Sequence, residues 1–355
     1  MYALPSFHQC MNQPGLAKMA SKVIGLVGLF TLSSVFFKLF KQAAVYLCPS
    51  KLHRYHHLSQ HGEPPWALVT GASDGIGRAF SYELAANGFN VVLHGRNHAK
   101  LSQVMSDLSE KYPQREYKTL IADASHVACT PCLSAQQGKE GGAAPLGFAA
   151  IQRDLDSINL TVLVNNAGGG PWNPVCLPIW ESPESKITAN VSLNALFPLH
   201  LTRALLPNLI RNSPSLVINI STMVDQGFPL IASYSASKQF LMAITSALRL
   251  ELLMEGMGDA VEVLGVKVGR VTGARNCTEP VSLFVPNAET MAKAALARAG
   301  NGNRIVVGYW GHALQQLGGE LLSLLPTSIS DRVYMDVMRQ ERVYLDGDPK
   351  QVKQS

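Results

Sequence analysis

The first 62 residues of this 355-residue chain contain no aspartate or glutamate. They carry six basic side chains, a formal charge of +6, so the rest of the chain holds −1 of the total of +5. A nucleic-acid-binding protein needs a basic patch on its folded domain, and this distribution offers none. Basic residues beside an apolar segment indicate a membrane surface instead. The six are Lys18, Lys22, Lys38, Lys41, Lys51 and Arg54.

Cysteine is scarce as well, with six residues that are scattered except for Cys129 and Cys132. This usage is typical of free thiols in a reducing compartment and not of a disulfide framework. The single CxxC pair has no second pair, and the four histidines within residues 49–65 match no zinc spacing. The sequence therefore predicts no metal site.

The longest apolar run covers residues 23–40, with Lys38 as its only charge. Eighteen residues of helix rise about 27 Å, close to the hydrocarbon thickness of a bilayer. We therefore expect an N-terminal membrane-anchor segment at 1–48, which either spans the bilayer as a transmembrane helix or lies in its interface. More basic residues follow the run than precede it, which favours a cytosolic location for the remainder. Residues 49–65 form a basic linker.

A complete strand–helix–strand unit is predicted directly after the linker. Residues 66–70 form a short apolar strand, a glycine-rich turn extends to residue 77, and residues 78–87 have helical apolar spacing. A second strand covers residues 89–94. The fold class is α/β: a doubly wound parallel sheet, or Rossmann fold, at 66–308 with a C-terminal helical extension at 309–355.

The glycines of the turn have the positions that a dinucleotide pyrophosphate requires. Gly71 permits the tight exit from the strand, Gly75 lets the backbone approach the phosphates, and Gly77 lets the helix pack against the strand. The helix N-terminus then faces the phosphates. The predicted cofactor-binding residues of the turn are Thr70, Gly71, Ser73, Asp74, Gly75, Ile76 and Gly77.

The end of the second strand indicates which dinucleotide is bound. An NAD site places an acid there for the ribose hydroxyls, whereas this chain has His94, Gly95, Arg96 and Asn97. The Arg96 guanidinium suits a 2′-phosphate, with Ser73 in support. The sequence therefore predicts NADP(H) as the cofactor.

Four motifs, in this order, make residues 65–310 resemble the short-chain dehydrogenase/reductase family. The glycine turn is similar to the cofactor turn of that family, and Asp123 is similar to the acid that meets the adenine. The run Asn165, Asn166, Ala167 and Gly168 resembles its NNAG motif. The fourth motif, similar to its YxxxK, contains Tyr234 and Lys238.

Tyr234 and Lys238 are predicted to be the acid–base pair. They stand at i and i+4, on one face of a helix. A tyrosine with a pKa near 10 is a poor proton donor–acceptor at neutral pH, and a nearby ammonium lowers that pKa. The resemblance implies that Lys238 also holds the nicotinamide ribose and that Tyr234 contacts the cofactor.

The resemblance implies two further catalytic residues. A hydroxyl before the tyrosine helix orients the substrate carbonyl. Ser221 has the usual separation of thirteen residues from Tyr234, whereas Thr222 matches the motif with a loop one residue shorter. Both stay candidates, with Ser221 preferred. Asn194 fits the fourth position better than Asn190 does.

One segment departs from the family pattern. After the sixth strand the family usually has Pro-Gly and then V-x-T, which meets the nicotinamide carboxamide. Here residues 268–273 read VGRVTG, without the proline and with the threonine one residue early. Val271 and Thr272 are the predicted contacts.

Two segments lie outside the predicted core of the fold. Residues 126–147 are rich in Gly, Ala and Pro and are predicted to be a mobile insertion. The helix predicted after residue 309 either packs on the domain or forms a second membrane-contacting face. The apolar residues predicted for the substrate pocket are Trp172, Trp180, Met223, Phe228 and Phe284.

Within the family, the chain resembles the membrane-bound 17β-hydroxysteroid dehydrogenases and very-long-chain 3-ketoacyl-CoA reductases. The resemblance implies an endoplasmic-reticulum enzyme that interconverts a ketone and a secondary alcohol on an apolar, lipid-like substrate. It also implies a homodimer through helices near 186–211 and 234–256. The alternative functions are a catalytically silent NADP(H)-binding regulator and a membrane-tethered scaffold.

Overall fold

The computed structural model describes residues 14–127, 147–169, 173–274 and 277–346. The chain forms two compact units, Met1–Pro49 and Ser50–Ser355. Most of the insertion predicted at 126–147, including Cys129 and Cys132, lies outside the described residues, as does Trp172.

The first unit contains one long helix, α1 (Pro14–Leu47). Many of its large apolar side chains are exposed, among them Ile24, Phe30 and Phe36. Within the described ranges, no helix combines the length and the apolar composition needed to cross a membrane. The helix itself is as expected, but the prediction that it spans a bilayer is not confirmed.

The second unit is built on a sheet of seven parallel strands in the order β3-β2-β1-β4-β5-β6-β7. The four central strands are buried almost throughout, which explains why they read as continuous apolar runs. The prediction of a Rossmann-type parallel sheet is confirmed. The strands are β1 (Pro65–Thr70), β2 (Asn90–Gly95), β3 (Tyr117–Ile121), β4 (Asn159–Asn165), β5 (Ser215–Thr222), β6 (Val261–Val268) and β7 (Ile305–Val307).

Helices join consecutive strands, as parallel pairing requires. Strand order reverses between β1 and β4, where an open α/β sheet leaves a crevice for ligands. The helices of this unit are α2 (Gly75–Ala86), α3 (His98–Lys111), α4 (Phe148–Asp154), α5 (Glu184–Val191), α6 (Phe197–Arg211), α7 (Ala232–Met254), α8 (Ala288–Leu296), α9 (Trp310–Leu322) and α10 (Thr327–Asp346).

Helix α2 begins three residues earlier than its apolar spacing predicts. Asp74 has extended backbone geometry, and its side chain accepts a hydrogen bond from Gly75 N at 2.7 Å. An aspartate at this position satisfies one of the donors that the first helical turn leaves unpaired. The helix therefore starts within the glycine turn itself.

A π-helical turn, Ser192–Leu196, joins α5 to α6. Such a turn widens the helix and changes the backbone hydrogen bonding locally. Asn194 lies at its centre and is fully buried. The turn thus delivers a polar side chain into the interior, beside the carboxyl ends of the strands.

Candidate active site

The glycine turn is too closely packed to admit a side chain at Gly77. A Cβ at Gly77 would lie 2.1 Å from Gly71 O, so only glycine allows α2 to pack this closely. Gly71 and Gly75 have φ of +67° and +53°, a region that glycine adopts without steric cost. The turn and the N-terminus of α2 therefore form a cradle whose backbone N–H groups suit a pyrophosphate.

The cradle is fastened to the NNAG segment through Thr70. Its buried hydroxyl donates to Val164 O at 3.2 Å and accepts from the backbone N–H groups of Asn166 and Ala167, both at 2.9 Å. The Asn166 amide donates to Thr70 O at 3.0 Å. Thr70 therefore positions the NNAG segment from beneath.

Asn165 lies deeper than predicted from the motif. Its amide donates to Thr202 Oγ1 and to Asn219 Oδ1, at 2.9 and 2.8 Å, and Asn219 donates to Thr245 Oγ1. The side chain is buried in the core, so it supports the site instead of facing it.

The predicted 2′-phosphate region lies at the ends of β2 and β3. Arg96 and Asn97 are exposed, and the Asn97 side chain accepts from Lys100 N at the start of α3. Partial burial raises the pKa of Asp123. Hydrogen bonds from Ser125 and the charges of His126 and Arg96 outweigh that effect, so the pKa stays below its ordinary value. Asp123 is thus ionised at neutral pH, and the positive charge of Arg96 is close enough to act on it.

Lys238 is buried on α7, one helical turn after Tyr234. Its ammonium donates to Ile220 O at 2.8 Å, and desolvation by burial lowers its pKa to about 8. The half-buried Tyr234 lies on the wall of the main cavity. The i,i+4 spacing has placed the two side chains on the same face of the helix, as predicted.

Asn194 contacts the residue that directly follows the NNAG motif. Its Oδ1 accepts from Gly169 N at 2.9 Å, and its Nδ2 donates to Gly169 O at 3.0 Å and Asn190 O at 2.9 Å. A Cβ added to Gly168 would lie 2.7 Å from Lys238 Nζ and 2.9 Å from Asn194 Oδ1. Gly168, Lys238 and Asn194 therefore pack closely together.

The two candidate hydroxyls at the end of β5 have different surroundings. Ser221 is buried, and its hydroxyl donates to Asp225 Oδ2 at 3.5 Å and Lys238 O at 3.3 Å. Thr222 lines the cavity together with Tyr234. Strand alternation explains the difference, because consecutive side chains point to opposite faces of a sheet. The geometry favours Thr222, although the sequence favours Ser221.

The main cavity has a volume of about 730 Å³ and lies at the carboxyl ends of the strands. Met223 and Phe228 line it, as the sequence predicts. Trp180 is 81% exposed and Phe284 is 40% exposed, and neither lines the cavity. The predictions for Trp180 and Phe284 are wrong, because the side chain of a residue on a pocket-forming loop can point to solvent instead of into the pocket.

One wall of the cavity comes from α10, which sequence reasoning did not assign to the site. The sequence contains a pattern that indicates this wall, because the apolar residues of α10 recur at helical spacing in a segment otherwise rich in charge. The α10 residues that line the cavity are Val333, Tyr334, Val337, Met338, Glu341, Tyr344 and Leu345.

Helix α10 is bound to the loops around the cavity by hydrogen bonds and an ion pair. The Asp346 carboxylate accepts from Val175 N and Cys176 N, both at 2.6 Å. Arg270 forms ion pairs with Glu279 and Glu341. These contacts join α10 to the loop after β4 and to the segment after β6, so the helix closes the cavity from outside.

The segment after β6 lies where the cofactor cradle meets the cavity. Val271 is buried and lines the cavity, and a Cβ at Gly75 would meet Ala274 Cα at 3.2 Å. The Thr272 hydroxyl donates to Glu279 O at 2.8 Å, and its N–H donates to Pro286 O at 2.9 Å. The glycine cradle and this segment together fit a dinucleotide whose nicotinamide end faces the cavity.

Comparison with known proteins agrees with this geometry. A family model described as short chain dehydrogenase matches residues 65–141 and 146–278. The chain therefore belongs to the short-chain dehydrogenase family, whose members are oxidoreductases, as the sequence predicts.

The curated relatives point to one branch of that family. A very-long-chain 3-oxoacyl-CoA reductase of Phaeosphaeria nodorum is 33% identical over 71% of this chain and 70% of its own. A very-long-chain 3-oxoacyl-CoA reductase-like protein of Arabidopsis thaliana is 31% identical over 85% of this chain and 88% of its own. Among solved structures, a metagenomic short-chain oxidoreductase in complex with NADP is 27% identical, with a TM-score of 0.52 over 70% of this chain and 97% of its own.

Proposed function

We propose that the protein is an NADPH-dependent reductase that converts the 3-oxo group of a long-chain acyl-CoA to a secondary alcohol. The observation that carries the proposal is the apolar cavity of about 730 Å³, which has Tyr234 and Thr222 on its wall and the glycine cradle beside it. The names of the relatives and the NADP complex of a structural neighbour support the substrate class and the cofactor.

Each polar side chain of the site has a distinct task in this reaction. Bound NADPH supplies the hydride. The Tyr234 hydroxyl gives a proton to the carbonyl oxygen, and the Thr222 hydroxyl donates a hydrogen bond to the same oxygen as negative charge develops there. The Lys238 ammonium stabilises the tyrosinate that remains, and Asn194 fixes the backbone at Gly169 next to it.

The remainder of the cavity suits an acyl chain. Its walls are largely apolar, and α10 contributes Val333, Val337 and Met338 to them. Burial of methylene groups against such walls contributes about 0.8 kcal/mol for each group. We therefore expect catalytic efficiency to increase with acyl length until the chain fills the cavity.

The test is NADPH oxidation by the purified full-length protein with 3-oxoacyl-CoAs of increasing length and with a panel of ketosteroids. Turnover that rises with acyl length is the expected result. Tyr234→Phe should abolish it, whereas Tyr112→Phe, a half-buried tyrosine at the end of α3, should not. Turnover confined to ketosteroids would overturn the substrate class, and equal activity of Tyr234→Phe would overturn the mechanism and favour the regulator or scaffold.

We further propose that α1 attaches the protein to a membrane surface, at the endoplasmic reticulum with the reductase unit in the cytosol. The support is the set of exposed apolar side chains on α1, including Phe30 and Phe36, together with the basic flanks. In vesicle flotation, the double substitution Phe30→Asp and Phe36→Asp should release the protein. Leu58→Asp, at an exposed leucine of the second unit, is the control, and flotation that is equal for both variants would contradict the proposal.

A homodimer through the helices near residues 186–211 and 234–256 stays a prediction of the family resemblance. Light scattering of the detergent-solubilised protein tests it, and a monomeric mass would contradict it.

A further inference from the structure

The segment that replaces the family's Pro-Gly pair is held by a histidine from a different part of the chain. His312 stands in the first turn of α9 and is fully buried. Its Nδ1 accepts from Gly269 N at 3.1 Å, and its Nε2 lies 3.0 Å from Arg270 O. One imidazole ring therefore bridges two consecutive residues directly after β6.

These two contacts define the state of the ring. A backbone N–H can only donate, so Nδ1 carries no proton and Nε2–H donates to Arg270 O. Burial lowers the pKa of His312, while the backbone oxygens of Arg270 and Phe284 act in the opposite direction. The ring stays neutral at neutral pH, which is the state in which it makes both bonds.

The imidazole ring of His312 is packed tightly against Gly269. A Cβ at Gly269 would lie 2.8 Å from the imidazole ring, so the ring occupies the space that a side chain there would need. A Cβ at Gly311 would lie 2.2 Å from Leu283 O. The first turn of α9 thus packs against both ends of the segment between β6 and α8.

We infer that His312 is a positioning residue for the nicotinamide end of the cofactor. It acts through Gly269 and Arg270. The next residue, Val271, lines the cavity next to the cradle. A proline restricts its own φ and the conformation of the residue before it. In this chain, which lacks that proline, two side-chain hydrogen bonds supply the corresponding restriction.

The inference rests on the proposed function only for the identity of the ligand, so its test needs no substrate. Titration compares two ligands: NADPH, and 2′,5′-ADP, which has the adenosine half of the cofactor and lacks the nicotinamide. The variants are His312→Phe, which removes both bonds, His312→Asn, which retains an acceptor near Nδ1, and His312→Gln, which retains a donor near Nε2. His200→Phe, a half-buried histidine on α6, is the control.

We expect His312→Phe to weaken NADPH binding about 10-fold, since two hydrogen bonds are lost, and to change 2′,5′-ADP binding less than about 2-fold. The Asn and Gln variants should recover part of the NADPH affinity. An equal loss for both ligands, or no loss for NADPH, would overturn the inference. If His312→Phe does not fold, judged by its melting transition, the same ratio measured on the Asn and Gln variants decides.

Ligand binding tests the role of His312, whereas turnover of 3-oxoacyl-CoAs tests the proposed function, so the two can fail independently. A selective loss of NADPH affinity supports the role of His312 even where no 3-oxoacyl-CoA is turned over. In the reverse case, turnover of 3-oxoacyl-CoAs with unchanged NADPH affinity in all three variants supports the reductase and overturns the role of His312.

Discussion

At the scale of single residues, Thr222 and Ser221 are adjacent in sequence but have different surroundings. Thr222 faces the cavity, whereas Ser221 is bound to Asp225 and to the backbone of Lys238. We expect Thr222→Val to lower kcat about 100-fold, the usual effect of removing one donor to a developing oxyanion. Steady-state kinetics with the best 3-oxoacyl-CoA measures this.

The controls for that prediction use the same two positions. Thr222→Ser retains the hydroxyl and should retain most of the activity. Ser221→Ala should lower the free energy of unfolding by about 1 kcal/mol, because a buried hydrogen bond is lost, and leave kcat near its original value. A larger loss of kcat in Ser221→Ala than in Thr222→Val would assign the role to Ser221.

The buried ammonium of Lys238 predicts a pH dependence. Its pKa of about 8 means that it is charged below pH 8 and neutral above it. Since only the charged form stabilises a neighbouring tyrosinate, kcat/KM for the reduction should fall as the pH rises through about 8. Arginine stays charged over this range, so Lys238→Arg should lack this alkaline decline. A wild-type profile that stays flat to pH 9.5 would contradict the prediction.

At the scale of elements, the attachment of α10 is open to a direct test. Asp346→Ala removes the acceptor of two backbone N–H groups in the loop after β4. Charge-assisted hydrogen bonds of this kind contribute about 1.5–3 kcal/mol, so the KM for a long-chain substrate should rise about 10-fold or more. The affinity for NADPH should change less than the KM, because Asp346 contacts the loop after β4 and not the glycine turn.

Asp336→Ala is the matched control for Asp346→Ala. It removes an aspartate of the same helix that forms an ion pair with exposed Arg339, three residues away. Surface pairs of this kind contribute little. An equal rise of KM in both variants would show that general loosening of α10, and not the Asp346 contact, is responsible.

The elements that follow a repetitive pattern were predictable from the sequence. Strand β1, helix α2 and strand β2 lie within a few residues of the predicted bounds, because buried parallel strands are continuous apolar runs and glycines mark the turn. The direction of single side chains was not predictable. Strand register decides that Thr222 and not Ser221 faces the cavity, and the path of the loop decides that Trp180 faces solvent. An apolar pattern encodes neither.

The contributions of distant segments were equally hard to predict. His312 and Asp346 reach the site from α9 and α10, more than seventy residues after Tyr234. No local motif marks them, because their partners are backbone groups of other loops. Backbone groups carry no sequence signal, so such contacts emerge only once the fold has brought the segments together.

At the scale of the whole molecule, two buried histidines make stability depend on pH. Burial lowers the pKa of His94 to about 4, against an opposing effect of the Asp123 charge, and burial also lowers the pKa of His312. An unfolded histidine binds a proton below about pH 6.5. Between that pH and 4 the unfolded chain therefore binds more protons than the folded chain, so acidification favours unfolding.

The expected result is a fall in the free energy of unfolding as the pH decreases below about 6.5. His94 alone should account for about 1.4 kcal/mol for each pH unit in that range. Urea unfolding at pH 7.5 and at pH 5.5 measures the difference. His94→Phe, which keeps a ring stacked near Phe197, should reduce it, and identical differences for wild type and variant would contradict the assignment.

The closure of the cavity by α10 has a consequence for synthesis on the ribosome. Val271, which lines the cavity directly after β6, is translated 66 residues before Val337. At about 5–20 residues per second, the apolar pocket is then without its cover for roughly 3–13 s. Until α10 emerges, the nascent chain exposes a nearly complete apolar hollow, the kind of surface that molecular chaperones bind. A chain truncated between β7 and α10 would contain the whole sheet, and its apolar cavity would remain exposed to solvent.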